Sequence, residues 1–326
     1  MQPDDFAKLV EDTEKEILVA GGRVGILGLT TVTLDLLNSL SQRGVLSAVN
    51  GIHVSKGPGE LKLPVPIKSV ESLIDEHYDV LVIASDEDKE IILSEALPYI
   101  VNNPKVVVSG YRHLDFQDPI FEEERAQLLS PSIANGYPNS LIHIYQCLVN
   151  AARLGLQGSI AEFGMFKGGT TVFMARVARR LGQRWPIIGF DTFNGFPPRR
   201  SPLDMYDHPG CVFTDVDAVQ RYTSGYDVQV VEGDIVETAQ QLSTHDVILS
   251  FIDTDNYTSA IAALDVVQER TVVGGAIVFD HFTGVDRFRY TLGERLAGKR
   301  LLHDARYFHL HDTGVFYRQR YGEAGQ

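Results

Sequence analysis

The chain has 326 residues, 44% apolar and 22% charged, the balance of an ordinary globular protein with room for two domains. Lys and Arg number 29 against 43 Asp and Glu, and the resulting formal charge of −14 argues against nucleic acid or an anionic membrane as the main partner. Cys147 and Cys211 give neither a disulfide framework nor a metal-ligand spacing. No apolar run approaches the ~20 residues of a membrane helix. The start, Met1 to Phe6, has no basic and apolar leader, so a reducing cytoplasm is expected.

Residues 1–16 read as a short polar helix and Glu16 to Ala20 as a strand, followed by the glycine-rich run Gly21 to Gly28. Thr33 to Leu40 reads as a helix and Val45 to Asn50 as a strand. Turn signals then fill Gly57 to Gly59 and Leu63 to Ile67. Val70 to Glu76 reads as helical, Asp79 to Ala84 as a buried strand, Asp88 to Ile100 as a helix and Lys105 to Ser109 as a strand. Strands alternating with helices predict a small Rossmann-like α/β domain over residues 1–130. A dinucleotide fingerprint would fall on Ala20, Gly22 and Gly25, so its first glycine is replaced, and the acid expected about 20 positions later falls near Asn50. Both departures favour an oligomerising or substrate-covering role over nucleotide binding.

Ser130 to Pro138 gathers Pro, Gly, Asn and Ser into a linker, and a second domain is expected over 131–326. It opens with an amphipathic helix, Asn139 to Leu156, stopped by Gly158. Ser159 to Phe163 then reads as a strand entering a glycine turn, Gly164, Gly168 and Gly169, with a helix from Val172 to Leu181. Further strands follow at Pro186 to Asp191, Asp227 to Asp234, His245 to Asp253 and Gly275 to Asp280. Arg306 to Leu310 and Gly314 to Arg318 read as a closing antiparallel hairpin.

Glu162, Asp191, Asp253 and Asp280 each end an apolar strand, and Asp234 follows the third strand closely. In a parallel sheet those ends share one edge, where ligands bind. Asp191, beside the glycine turn, suits the two hydroxyls of a ribose. Phe193 is placed either to cover an adenine face or to pack in the core. Asp234 is placed either to take the adenine amino group or to serve the turn after Gly233. Asp253 with Asp280 and His281 brings two carboxylates and an imidazole to neighbouring strand ends, a donor set suited to Mg²⁺, or to Mn²⁺ or Fe²⁺. Asp255, two residues past Asp253, can ligate or act as a base.

Four runs in order resemble the macrocin O-methyltransferase family: Ala161 to Thr171, Phe190 to Pro197, Ile252 to Ser259 and Gly274 to Asp280. The likeness covers about residues 139–318. It implies a class I methyltransferase domain, a mostly parallel α/β sheet with an antiparallel C-terminal hairpin, using S-adenosylmethionine and Mg²⁺ on hydroxyls of a small-molecule acceptor such as a natural-product sugar. It implies a cofactor cradle of Glu162, Phe163, Gly164, Lys167, Gly168, Thr170, Asp191, Thr192, Phe193, Gly233 and Asp234, with Thr192 where the family has Ser. The metal would fall to Asp253, Asp280 and His281, where the family usually has two aspartates, and the base to Asp255, His281 or His208. His208 lies in the Pro197 to Pro209 stretch, which reads as a lid over the acceptor. The family habit also implies a homo-oligomer. The competing readings are a non-catalytic cofactor binder and another metal-dependent reaction on the same scaffold.

Overall fold

The computed structural model describes residues 1–55, 62–110, 116, 118–134, 139–283 and 290–320. The chain divides into two compact units, Met1–Phe116 and Gln117–Gln326. Among the described residues no helix is long and apolar enough to cross a membrane.

In the first unit α1 (Pro3–Ala20), β1 (Val24–Leu27), α2 (Thr31–Gln42), β2 (Val49–Val54), β3 (Ile67–Ser69), β4 (Val80–Ile83), α3 (Lys89–Ala96) and β5 (Lys105–Val108) follow one another. The strands pair in parallel, in the order β3-β2-β1-β4-β5. The strand expected at Glu16 to Ala20 is instead the end of α1. Leu9, Val10, Thr13 and Ile17 bury one helical face, and Gly21, left-handed at φ 56°, closes the helix through its N–H to the Ile17 carbonyl. β2 starts at Val49, later than expected, after a single 3₁₀ turn at Leu46–Ala48. The expected helix at Val70 is a 3₁₀ turn, Val70–Ile74, and α3 stops at Ala96 because Pro98 cannot continue it. The glycines of the degenerate fingerprint serve packing. A Cβ on Gly22 would lie 2.1 Å from Asp79 Oδ2, and one on Gly25 2.9 Å from the Leu81 side chain. The start of α2 is capped by the chain itself, Thr30 and Thr33 each accepting from the other's backbone N–H.

The second unit runs α4 (Pro119–Ala126), α5 (Ser140–Arg153), β6 (Ser159–Phe163), α6 (Gly169–Arg180), β7 (Ile187–Asp191), α7 (Val216–Thr223), β8 (Val228–Glu232), α8 (Ile235–Thr238), β9 (Val247–Ile252), α9 (Tyr257–Arg270), β10 (Thr271–Phe279), α10 (Leu292–Gly298), β11 (Tyr307–His309) and β12 (Val315–Arg318). Its seven-stranded sheet has the order β11-β12-β10-β9-β6-β7-β8. Every pair from β10 to β8 is parallel, and β12 runs antiparallel between β10 and β11. The core lies along the central strands, where Phe163 stacks on Phe190 at 4.9 Å and Ile252, Leu264, Phe279 and Phe316 are fully or almost fully buried.

The units part between Phe116 and Gln117, earlier than the linker at 130 suggests. The charged stretch before that linker is α4, and it is committed to the second unit. Phe121 packs edge-on to Phe173 and Tyr145, both at 5.5 Å, and Glu124 pairs with Arg176 at 2.7 Å. Helix α6 also begins earlier than expected, at Gly169, because Gly168 supplies a left-handed N-cap at φ 76°.

Candidate active site

The loops that leave β6, β7, β9 and β10 emerge together at the carboxyl edge of the sheet, where the central strands diverge from order 9-6 to order 6-7. After β6 the chain turns at Gly164, φ 93°, so tightly that a Cβ there would lie 2.0 Å from the Asp253 carbonyl oxygen at the end of β9. Only glycine lets these two strand ends approach so closely. Among the described residues, three of the four non-glycine residues with positive φ sit in these loops: Phe166 at 49°, Phe193 at 50° and Asp255 at 58°. Backbone conformations of that kind persist only where surrounding bonds impose them.

Asp191 imposes two of them. Its Oδ2 accepts from the Phe166 N–H at 2.7 Å and its Oδ1 from the Phe193 N–H at 2.8 Å, tying the glycine turn to the β7 loop. Burial raises its pKa, and the N–H groups of Phe166, Phe193 and Thr192 oppose that shift. Thr192 steadies the same loop by donating to the Gly195 carbonyl. Glu162 is buried behind the turn, where the Thr171 hydroxyl of α6 donates to it. Burial carries its pKa up to about 8, with the Thr171 bond pulling the other way.

The acids at the ends of β9 and β10 converge. His281 Nε2 lies 2.9 Å from Asp255 Oδ1, 3.3 Å from Asp280 Oδ2 and 3.7 Å from Asp253 Oδ1. One ligand atom from each of Asp253, Asp280 and His281 falls within 4.8 Å of the others. Ser140, the first residue of α5, donates to the remaining oxygen of Asp280. Asp253 is raised well above the usual carboxylate range, first by burial and then by Asp280, Asp255, Glu294 and Glu162. Burial works to lower the His281 pKa, but the Asp255 hydrogen bond and the surrounding carboxylates win and carry it to about 9.

Gly164, Phe166, Asp191, Thr192, Asp253, Asp255 and Ser259 line one cavity. Pro197, the first residue of the segment read as a lid, lines it too, as do the flanking Phe196 and Cys211 and Ile133 from the linker. That lid is pinned to the start of α9. Asp204 accepts from the Thr258 N–H and hydroxyl and from the Arg200 and Ser201 N–H groups, while Asn256 exchanges two hydrogen bonds with the Tyr206 backbone.

Several residues expected at the cofactor are spent elsewhere. Phe193 is buried against Met165 and Val219, so its ring is core and does not line the cavity. Phe163 is likewise interior, stacked under the sheet edge. Lys167 lies over the rings of Phe166 and Phe213, at 4.9 and 5.1 Å, and Thr170 bonds Ser132 of the linker. Asp234 caps α8 and pairs with Arg200 of the lid at 2.7 Å, and Gly233, at φ 137°, donates its N–H to the Asp191 carbonyl. His208, expected as a base, is exposed and accepts from the Gly210 N–H, capping its own turn. Phe166 and Phe196 lie within the runs that resemble the family but had no role assigned to them, while Cys211, Ser140 and Glu294 lie outside those runs; each comes to the site from a loop or helix whose path the pattern does not fix.

The profile of the family described as macrocin-O-methyltransferase (TylF) matches residues 136–319. Among solved structures the chain is similar to the O-methyltransferase NovP, at 19% identity over 56% of this chain and 79% of that one, with a TM-score of 0.47. It is similar also to CalS11, a calicheamicin methyltransferase, at 19% identity over 65% and 96% with a TM-score of 0.44. A putative caffeoyl-CoA O-methyltransferase from Staphylococcus aureus shares 11% identity over 64% and 94%, with a TM-score of 0.39. No curated protein matches the sequence.

Proposed function

Since the chain belongs to the macrocin O-methyltransferase family, whose members are S-adenosylmethionine-dependent, we propose that its second unit methylates a hydroxyl of a small sugar or natural-product intermediate, aided by a divalent cation. What supports this most directly is that the glycine-turn loop and the acids line one cavity, Gly164 and Asp191 together with Asp253 and Asp255.

The cofactor's ribose fits at Asp191 and its methionine end over the turn from Gly164 to Gly168. Phe166 and Phe196 are the rings available to the adenine, in place of Phe193. The buried carboxylate surplus around Asp253 and the close donor atoms of Asp253, Asp280 and His281 suit a resident Mg²⁺, Mn²⁺ or Fe²⁺. When bound, such a cation lowers the pKa of a hydroxyl and helps to orient it. S-adenosylmethionine held by Asp191 and the turn from Gly164 to Gly168 would supply an electrophilic methyl group to the acceptor oxygen and would itself become S-adenosylhomocysteine. Asp255, which lines the cavity, would take the hydroxyl proton. The first unit is assigned to assembly of a homo-oligomer or to covering the acceptor, and the enzyme to the cytoplasm.

Titration with S-adenosylhomocysteine, in Mg²⁺ and after chelation, tests the cofactor site. Release of S-adenosylhomocysteine with a panel of hydroxylated acceptors then tests transfer. Asp253→Ala should lower turnover by about 100-fold or more. Undiminished turnover would sink the role of the acid cluster.

A further inference from the structure

Glu294 lies on α10, in none of the runs that resemble the family, and its side chain is wholly buried. Its Oε2 accepts from the N–H groups of Thr254 and Asp255 at 2.9 and 2.8 Å, and its Oε1 from the N–H of His281 at 2.9 Å. These are the first backbone donors past the sheet. Asp253 N–H still bonds the Phe163 carbonyl and Asp280 N–H the Ile252 carbonyl, both within the ladder; one residue further the strands separate. From this geometry we infer that Glu294 is a positioning residue that holds the β9 and β10 loops, and so the acids they carry, in one fixed arrangement.

The chemistry singles out a carboxylate. Three donors converge on two oxygens from opposite sides, and only an ionised acid presents acceptors on both branches. A glutamine in the same place would turn its amide N–H₂ toward one of the two loops. An acid here is also awkward, since Glu294 is fully buried with the carboxylates of Asp255 and Asp280 nearby. A residue needed only to fill space would avoid that cost. The bonds to Thr254 and Asp255 also hold Asp255 at its left-handed φ of 58°. The inference rests on reading these loops as the reaction centre.

The test compares full-length wild type, E294Q and E294D by amide hydrogen exchange, by S-adenosylhomocysteine titration and, with an accepted substrate, by kcat and KM. In E294Q, peptides covering 253–257 and 280–283 should exchange about tenfold faster or more, while 159–163 and 187–191 keep their rates. Cofactor affinity should stay within about threefold, and kcat should fall by about tenfold or more with KM for the cofactor little changed. Loop exchange unchanged in folded E294Q would overturn the inference. So would equal acceleration in β6 and β7, which would mark Glu294 as a general stabiliser. If E294Q does not fold, E294D carries the same two-region comparison. A wild type that fails to bind S-adenosylhomocysteine would count against the proposed function alone, because the exchange data still judge Glu294.

Discussion

Glu162 carries the clearest consequence of burial at the scale of one residue. Its folded pKa, about 8, lies above the ordinary value of 4.5, so the folded chain holds this proton more tightly than the unfolded one. That contribution to stability is complete below about 4.5 and is lost as pH rises through about 8. Cofactor-free wild type should therefore lose roughly 2 kcal/mol or more relative to Glu162→Gln between pH 5 and pH 8.5. Denaturant midpoints at the two pH values measure it, and parallel curves for the two proteins would refute it. Glu162, Asp191, Asp253 and Asp280 were legible because each ends an apolar run, and position in a strand is a local property. The exposed, turn-capping place of His208 was not, and for Phe193 two placements stayed open, because the direction of a side chain in a loop depends on bonds to distant residues. Glu294 and Ser140 were invisible for the same reason: they lie 14 and 140 positions from Asp280 and meet its loop only in the folded chain.

Gly164 shows what an element boundary demands. With φ at 93° and a virtual Cβ 2.0 Å from the Asp253 carbonyl, Gly164→Ala must push β6 and β9 apart at their carboxyl ends. We expect it to weaken S-adenosylhomocysteine binding by about 100-fold or more, with the fold retained by circular dichroism. Binding at the wild-type level would show that the turn has slack. Strands were the most readable elements, since buried parallel strands appear as continuous apolar runs. The end of α1 was misread because Ile17-Leu-Val-Ala20 has strand composition, while the buried face that decides the matter starts eight residues earlier at Leu9. Short helical segments near Pro98 and Val70 shrank to 3₁₀ turns, where propensity alone does not set length.

At the scale of the whole chain, the alternation of strands and helices was enough to give two α/β units, but not where one stops. Helix α4 lies ahead of the stretch read as a linker while packing on α6. A fragment of residues 117–326 should therefore bind S-adenosylhomocysteine, whereas one beginning at 131 loses Phe121 from between Phe173 and Tyr145. Loss of a buried aromatic ring costs about 3–5 kcal/mol, so the shorter fragment should melt at a distinctly lower temperature. Equal melting temperatures would place α4 outside the stabilising core.

The pairing of β6 with β9 also bears on how the second unit comes to exist. These two strands sit side by side at the centre of the sheet, yet the chain between them, residues 164 to 246, carries β7, β8 and the lid. That whole excursion must close before Gly164 can meet Asp253, an entropic toll that makes such folds slow. A ligand spanning the two strand ends would act as a template for the closure. S-adenosylhomocysteine added during refolding would then speed the reaction if the central pair forms in the transition state. It would only slow unfolding if that pair forms last.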